Sequence, residues 1–337
     1  MRLRTMYCPR LDHFVRFNNT GTIGKCGHMT AAPEFTNWES MQKSSWLADI
    51  KNQMDNNQWP SECQRCQTTE HSNDSHSIRL NSIKRDTILS KIKSDYLILG
   101  GVLDNICNSA CQSCNANLST KIGSLETKDY IKINNVSLFD TVPMEQIVEL
   151  DLNGGEPTAS PAYQQLLTDL PVNVKIIRVN TNGSRLLPNI DKILDRKIKL
   201  IVTLSLDGVE NVHDYVRWPI TWSNYTKTVT AYTKLKQQHS NLTLEAWTTV
   251  HSLNVGNFDQ IEDYARSVGL NHSWAFLNTP KALNPIYTNT FTLEAKNKLL
   301  NNAVSSKIAI NKNNQDQLDS FIDTQDRLRN ISIKDYI

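Results

Sequence analysis

Cysteine is absent from the last two thirds of the chain, because all seven cysteines lie within the first 114 of its 337 residues. An odd count confined to one part of the sequence argues against a framework of disulfides. No run of about 18 apolar residues occurs, so no membrane span is predicted. The N-terminus lacks the apolar stretch and small-residue cleavage site of a secretory signal. These absences predict a protein of the reducing cytoplasm.

An excess of charge of one sign is also lacking. Lys and Arg number 36 and Asp and Glu 34, which gives a formal net charge of +2. Such a balanced charge does not indicate a polyanionic partner and argues mildly against a nucleic-acid substrate. The length allows one large domain and a smaller one.

The cysteines that are present form one group of four and one group of three. Four thiolates suit a closed metal site, and three can hold an iron–sulfur cluster with one iron left open. Bound clusters are therefore the leading hypothesis for both groups: Cys8, Cys26, Cys63 and Cys66, then Cys107, Cys111 and Cys114.

Hydrophobic patterning divides the chain into four parts. Residues 1–80 are polar and rich in loops, which predicts a small module with few apolar residues to fold on. Residues 81–94 are a connecting segment, with a helix predicted over 82–95. Residues 95–290 alternate short aliphatic runs with segments of helical period, and residues 291–337 form a tail with a helix predicted over 293–303.

The alternation in residues 95–290 is typical of βα units around a parallel sheet. Six strands are predicted, fewer than the eight of a closed barrel. The fold class is therefore α/β, a partial (β/α)6 TIM-like barrel behind a small cysteine-ligated N-terminal module. Strands are predicted over residues 96–102, 147–152, 174–180, 200–206, 242–250 and 273–277, and helices over 162–170, 187–196, 224–238 and 258–268.

The three-cysteine group has the spacing C-x3-C-x2-C and directly follows the first predicted barrel strand. Chemistry in parallel barrels takes place at the C-terminal ends of the strands, which is where this loop lies. A zinc knuckle is the alternative, but zinc requires a fourth Cys or His nearby, and none follows Cys114 before His213.

This loop resembles the cluster-binding loop of the radical S-adenosylmethionine (SAM) enzymes, and further segments match that family in order. The motif Gly154-Gly155-Glu156-Pro157 ends the second strand, where the family contacts the methionine amino group of SAM. The residues alone agree, because glycines allow close backbone approach and a carboxylate accepts from an ammonium. A tight turn from strand to helix, with Glu156 in the first helical turn, is the structural alternative.

The resemblance continues at the next two strand ends and covers roughly residues 95–280. Asn182 lies at the end of the third strand, and Ser205 and Asp207 lie at the end of the fourth. The resemblance implies that these residues approach SAM, with Ser205 near its ribose or methionine. Arg217 is implied to bind the methionine carboxylate, and a surface ion pair is its alternative. Relatives often carry an aromatic residue where this chain has Ser113, so the adenine contact there differs.

The four N-terminal cysteines resemble the ligands of twitch or SPASM auxiliary-cluster modules. Those modules commonly follow the barrel, whereas here the pattern precedes it. The resemblance implies a second, auxiliary [4Fe-4S] cluster. A four-thiolate zinc site has the same spacing, and a redox pair of Cys63 and Cys66 is a further alternative.

The resemblance implies an enzyme of oxidoreductase or transferase type. SAM would bind the open iron of a [4Fe-4S] cluster, be cleaved reductively, and yield a radical that abstracts a hydrogen atom from the substrate. Auxiliary modules suggest oxidation, crosslinking or epimerisation of a peptide or protein, with flavodoxin or ferredoxin as electron donor. The alternatives are a small-molecule dehydrogenase, a nucleic-acid-modifying enzyme and a zinc-stapled binding module without activity.

Overall fold

The computed structural model describes residues 6–72, 77–126, 130–285 and 313–336. Its centre is one sheet in the order β2-β1-β3-β4-β5-β6-β7-β8, in which every neighbouring pair is parallel except β1 with β2. The two outer strands do not pair with each other, so the barrel is open. The strands are β1 (Phe14–Phe17), β2 (Ile23–Gly24), β3 (Leu97–Val102), β4 (Ile147–Asn153), β5 (Ile176–Thr181), β6 (Lys199–Ser205), β7 (Leu242–Val250) and β8 (Asn271–Phe276).

Helices precede the barrel strands, connect them and follow them. In chain order they are α1 (Arg10–His13), α2 (Trp38–Gln42), α3 (Ser45–Asp55), α4 (Gln64–His71), α5 (Ile78–Leu89), α6 (Thr120–Glu126), α7 (Pro161–Thr168), α8 (Ile190–Asp195), α9 (Asn211–Val216), α10 (Trp222–Gln238), α11 (Phe258–Ser267) and α12 (Asn313–Arg329). The fold is thus the predicted partial (β/α)6 barrel, extended by two strands that the sequence analysis missed.

The six predicted barrel strands are confirmed as β3 to β8, each within a few residues of its expected bounds. Alternate residues of each strand point to opposite faces of the sheet. One set, such as Leu200, Val202 and Leu204 of β6, packs against the connecting helices in the largest apolar core. We call this side the outer face and the opposite side the inner face.

The inner face carries both apolar and charged side chains and is covered in part by α5, whose Leu89 packs on Ile98 and Val148. Arg85 of α5 pairs with Glu149 and Asp151 of β4, with Nε–Oε2 2.8 Å and Nη1–Oδ2 3.2 Å. Arg178 of β5 also contacts Glu149, with Nε–Oε1 2.7 Å. The segment expected to connect two domains is therefore a helix that neutralises buried carboxylates inside the barrel.

The N-terminal segment contributes to the barrel sheet. β1 pairs in parallel with β3, and Val15 and Phe17 join the main core. The expectation of a loop-rich segment with few apolar residues was wrong. Leu47, Ile50 and Met54 recur every three or four residues on the buried face of α3. They pack into an apolar cluster that is separate from the main core.

The described part of the C-terminal tail consists mainly of α12. α12 packs through Leu318 on Tyr215, Val216 and Leu283, next to the cysteine loop. The helix predicted over 293–303 lies outside the described residues. None of the described helices is both long and apolar enough to cross a membrane.

Two histidines are buried beside the C-terminal ends of the strands. His213 lies against the rings of Tyr225 and Trp222, at 4.7 Å and 5.4 Å between centroids, and burial lowers its pKa to about 3. Burial lowers the pKa of His251 to about 4. Both side chains are therefore neutral in the folded protein at pH 7.

We expect acid to destabilise the protein through these histidines. Because their folded pKa values lie below the unfolded value of about 6.5, their contribution is present above that pH and is lost as the pH falls toward 4, at up to about 1.4 kcal/mol per pH unit for each. His213→Phe, which fits the aromatic surroundings, should reduce this loss in denaturant titrations at pH 7.5 and 5.0. An equal loss in the variant and the parent would contradict the assignment.

Candidate functional site

The three-cysteine loop leaves the C-terminal end of β3 and brings its thiols together. The Ser109 hydroxyl lies 3.4 Å from Cys107 Sγ and 3.5 Å from Cys111 Sγ. Burial, together with the charges of Cys111 and Cys107, raises the pKa of the Cys114 thiol to about 12. Burial and the neighbouring Cys111 also raise the pKa of Cys107. Three thiols that repel each other's negative charge are suited to a shared positive centre.

The backbone of this loop is fixed on two sides. Ala110 N–H donates to the Trp218 carbonyl at 2.7 Å, and Gln112 N–H donates to the Val216 carbonyl at 2.9 Å. Arg329, at the end of α12, is buried and donates from Nε to the Ala110 carbonyl at 2.9 Å. The tail therefore holds the cysteine loop through its carbonyl oxygens.

The glycines of the Gly-Gly-Glu-Pro motif lie against the chain that leads into Cys107. Gly155 N–H donates to the Asp104 carbonyl at 3.1 Å, and a Cβ at Gly155 would lie 2.2 Å from the Ile106 carbonyl oxygen. Gly154 has φ +99°, a conformation that glycine adopts readily. The close approach that we expected toward a cofactor is made here to the cysteine loop itself.

Glu156 is almost completely buried and its carboxylate accepts four hydrogen bonds from the chain. Oε1 accepts from Thr158 N–H at 3.0 Å, Thr158 Oγ1 at 2.8 Å and Thr181 Oγ1 at 2.7 Å, and Oε2 accepts from Asn182 N–H at 2.6 Å. Pro157 beside it is also buried. Glu156 therefore ties the end of β4 to the end of β5, although it precedes α7 and does not lie in a first helical turn as the structural alternative expected. Its predicted contact with SAM stays a prediction.

Asn182 connects this network to the cysteines. Its Nδ2 donates to Asn108 Oδ1 at 2.8 Å and to Ser109 Oγ at 3.3 Å. The ends of three neighbouring strands, β3, β4 and β5, are thus joined by a continuous path from Glu156 to the thiols.

Asp207 and Arg217 form a buried ion pair, not the surface pair that was the alternative for Arg217. Arg217 Nη1 lies 2.8 Å from Asp207 Oδ2, and Asp207 Oδ1 accepts from Thr249 N–H at 2.8 Å. Burial opposes the charge of Arg217, but Cys111, Asp207 and other acidic neighbours raise its pKa above its usual range. Arg217 is therefore a permanent cation held beside the cysteines.

Several polar atoms around this centre are buried without a hydrogen-bond partner among the described residues. They are Arg217 Nε, His251 Nε2 and both side-chain polar atoms of Gln112. Gln112 lies between Cys111 and Cys114, and His251 is close enough to Asp207 and Arg217 for its pKa to respond to their charges. Unpaired buried polar groups are costly, so this arrangement fits a bound polar ligand beside a cluster.

Ser205 lies on the wall of a cavity that we call the inner-face cavity, whose lining includes no residue of the cysteine loop. This cavity has a volume of about 430 Å³ and is partly open to solvent. Its lining residues come from four adjacent strands and are mostly polar: Asn180, Thr203, Ser205, Glu245, Ala246, Trp247 and Ser273.

The four N-terminal cysteines, which are far apart in sequence, line one cavity. Cys8 precedes α1, Cys26 follows β2, Cys63 ends a short turn and Cys66 lies in α4. The cavity has a volume of about 20 Å³, and its wall also includes Arg10, Leu11, His28, Met29, Met54, Trp59, Ile78 and Arg79.

Backbone amides face some of these sulfurs. Burial raises the pKa of Cys66, whereas hydrogen bonds from the backbone of Arg79 and Ile78, in the first turn of α5, oppose that rise. Burial raises the pKa of Cys8 and of Cys63 to about 12. Across the described residues, no three His, Cys, Asp or Glu side chains are grouped so that they could hold a single metal ion.

Comparison with solved structures finds distant similarities. One is titled "Native anSMEcpe with bound AdoMet and Kp18Cys peptide", with 17% sequence identity and a TM-score of 0.40 over 70% of this chain and 62% of that one. Another is Streptococcus suis SuiB bound to precursor peptide SuiA, with 12% identity and a TM-score of 0.40 over 95% of this chain and 70% of that one. The chain thus spans less than two thirds of the length of anSMEcpe. No protein-family model matches the sequence, and no curated protein matches it.

Sequence reasoning missed several residues of the site. Ser109 and Gln112 lie between the cysteines, but their residue types alone do not indicate a role. Arg329 is more than 200 positions from the loop that it holds, and no local pattern marks it.

We expect Glu156→Gln to destabilise the protein even without any cofactor. An amide offers one accepting oxygen in place of two, so buried donors lose a charged partner at a cost of roughly 1.5–3 kcal/mol. Denaturant titration of cofactor-free protein measures this, with the exposed Glu145→Gln as the matched control. Unchanged stability, combined with weaker SAM binding, would instead assign Glu156 to the cofactor.

Proposed function

We propose that this protein is a radical SAM enzyme that modifies a peptide or protein. The observation that carries the proposal is the group of three coupled thiols next to Arg217, a buried cation with an unpartnered Nε. Three thiolates leave one iron of a [4Fe-4S] cluster open, and a guanidinium suits the carboxylate of SAM at that iron. The ordered motifs of the barrel support the same family.

The bound cluster and SAM would supply reductive cleavage of the sulfonium and hydrogen abstraction from the substrate. Cys107, Cys111 and Cys114 would hold the cluster, and Arg217, oriented by Asp207, would bind the SAM carboxylate. Gly154, Gly155 and Pro157 would fix the turn beside the cofactor, while Glu156 and Asn182 would keep the cysteine loop in place. Ser205 would face the boundary between SAM and the substrate.

The four N-terminal cysteines would hold a second [4Fe-4S] cluster. Support comes from the cavity that they line, because it brings together four thiols from separate parts of the chain, as a cluster with four thiolate ligands requires. Arg10 in the cavity wall would offset part of the negative charge of such a cluster, whereas Arg79 is paired with Glu70.

A peptide substrate is proposed because the N-terminal cysteines resemble auxiliary modules of that class. An electron donor such as flavodoxin or ferredoxin would reduce the cluster. A cytoplasmic location is proposed because all seven cysteines are free and the proposed ligands must stay reduced.

Loss of the barrel cysteines should abolish SAM cleavage. Anaerobically purified, reduced protein is expected to convert SAM to 5′-deoxyadenosine, and the variant with Cys107, Cys111 and Cys114 all replaced by Ala is not. Chromatography of the nucleoside product provides the measurement. Cleavage that persists in the triple variant would exclude the proposed cluster site.

Metal analysis should separate an auxiliary cluster from zinc. With a cluster at each site, reconstituted protein carries about eight irons, and the barrel-cysteine variant retains about four. With zinc at the N-terminal site, the parent carries about four irons and the variant nearly none. The second result would overturn the auxiliary-cluster proposal. The change Cys8→Ala with Cys26→Ala provides the reciprocal control.

A further inference from the structure

The inner-face cavity contains a carboxylate without a cationic partner. Other carboxylates of the barrel have cationic partners among the described residues. Glu149 and Asp151 of β4 pair with Arg85, and Asp207 pairs with Arg217. Glu245 has no ion pair among the described residues and accepts only from Thr203 Oγ1, at 3.3 Å. The charges of Glu149, Asp151 and Asp207 are thus neutralised by arginines, whereas the charge of Glu245 is free to bind a cationic ligand.

An exposed indole shares this cavity with Glu245. Trp247 is 41% exposed, and it is the one aromatic residue among the exposed large apolar side chains of the described chain. Glu245 and Trp247 are two residues apart on β7, so their side chains project from the same face. A carboxylate combined with an indole face is a typical environment for an ammonium or guanidinium group.

The position of the cavity connects it with the proposed chemistry. Ser205 lies beside Trp247 in the pairing of β6 with β7, and Asp207, which holds Arg217, is only two residues further along the chain. Two residues of extended chain span about 6.6 Å. A group held at Glu245 would therefore lie inside the barrel, close to the proposed SAM site. The open side of the cavity would admit the substrate chain that carries this group.

We propose that the inner-face cavity binds a positively charged side chain, lysine or arginine, of the peptide substrate, through Glu245 and the ring of Trp247. This inference rests on the proposed function for the identity of the ligand as a peptide. The hydroxyls of Thr203, Ser205 and Ser273 and the amide of Asn180 surround the cation as hydrogen-bonding neighbours. Uncharged side chains of the same length would leave the carboxylate without a partner.

Fluorescence anisotropy with labelled pentapeptides tests this in the cluster-loaded protein. The probes are acetyl-Gly-Ser-X-Ser-Gly peptides with a C-terminal fluorophore, in which X is lysine, arginine, acetyllysine or norleucine. We expect the lysine and arginine peptides to bind roughly tenfold to a hundredfold more tightly than the norleucine peptide. Glu245→Gln should reduce their affinity to that of norleucine, and Trp247→Leu should weaken it about two- to fivefold.

Controls separate the sources of failure. Glu145→Gln, an exposed carboxylate outside the cavity, should leave every affinity unchanged, and Glu245→Asp should partly restore binding. Equal affinity for lysine and norleucine peptides, no binding of the lysine peptide, or no effect of Glu245→Gln would overturn the proposal. Competition by n-butylammonium as tight as that of the lysine peptide would indicate a free amine as the ligand and overturn the peptide assignment.

Cleavage of SAM to 5′-deoxyadenosine is measured in the same preparations. If SAM is cleaved but charge has no effect on peptide binding, the cation site fails while the proposed function stands. If charged peptides bind through Glu245 but SAM is not cleaved, the proposed function fails and the cation site remains.

Discussion

The close contact between residues 154–156 and residues 104–106 is the constraint on which the site depends. No side chain fits at Gly155, because a Cβ there would lie 2.2 Å from the Ile106 carbonyl oxygen. This contact brings the end of β4 against the chain that enters the cysteine loop. The buried carboxylate of Glu156 then fixes the end of β5 at the same place. The three thiols are therefore positioned by backbone contacts and buried hydrogen bonds within the chain itself.

Buried charge is the second organising feature of the barrel. On the inner face, Arg85 of α5 satisfies carboxylates of β4, so the helix outside the predicted barrel completes its interior. Near the strand ends, Asp207 holds Arg217 beside the thiols. A buried ion pair requires good geometry to offset its desolvation, which makes these pairs specific constraints on where the elements lie. Glu245 differs from them, because it makes no ion pair with any residue that the structure describes.

The N-terminal segment and the C-terminal tail both pack against the barrel and position the cysteines. β1 extends the sheet at its open edge, and the cysteine cavity forms where α1, α4 and the start of α5 meet. From the other end of the chain, Arg329 reaches the cysteine loop across the cluster of Tyr215 and Leu318. Segments that are polar and weakly patterned in sequence thus hold both groups of cysteines.

The sequence by itself determined the barrel strands, the loop with three cysteines and the order of the motifs along them. These features depend on short-range periodicity and on spacing within one segment, which can be read locally. Only the tertiary structure decided that the Glu156 carboxylate accepts hydrogen bonds from its own chain and that Arg217 is buried. The tertiary structure likewise decided that Arg329 donates to a carbonyl oxygen of the cysteine loop. It also decided that Cys8, Cys26, Cys63 and Cys66 share one cavity and that Phe14–Phe17 joins the sheet. The physical reason is that burial and pairing depend on contacts between residues tens to hundreds of positions apart, and no local pattern encodes those contacts.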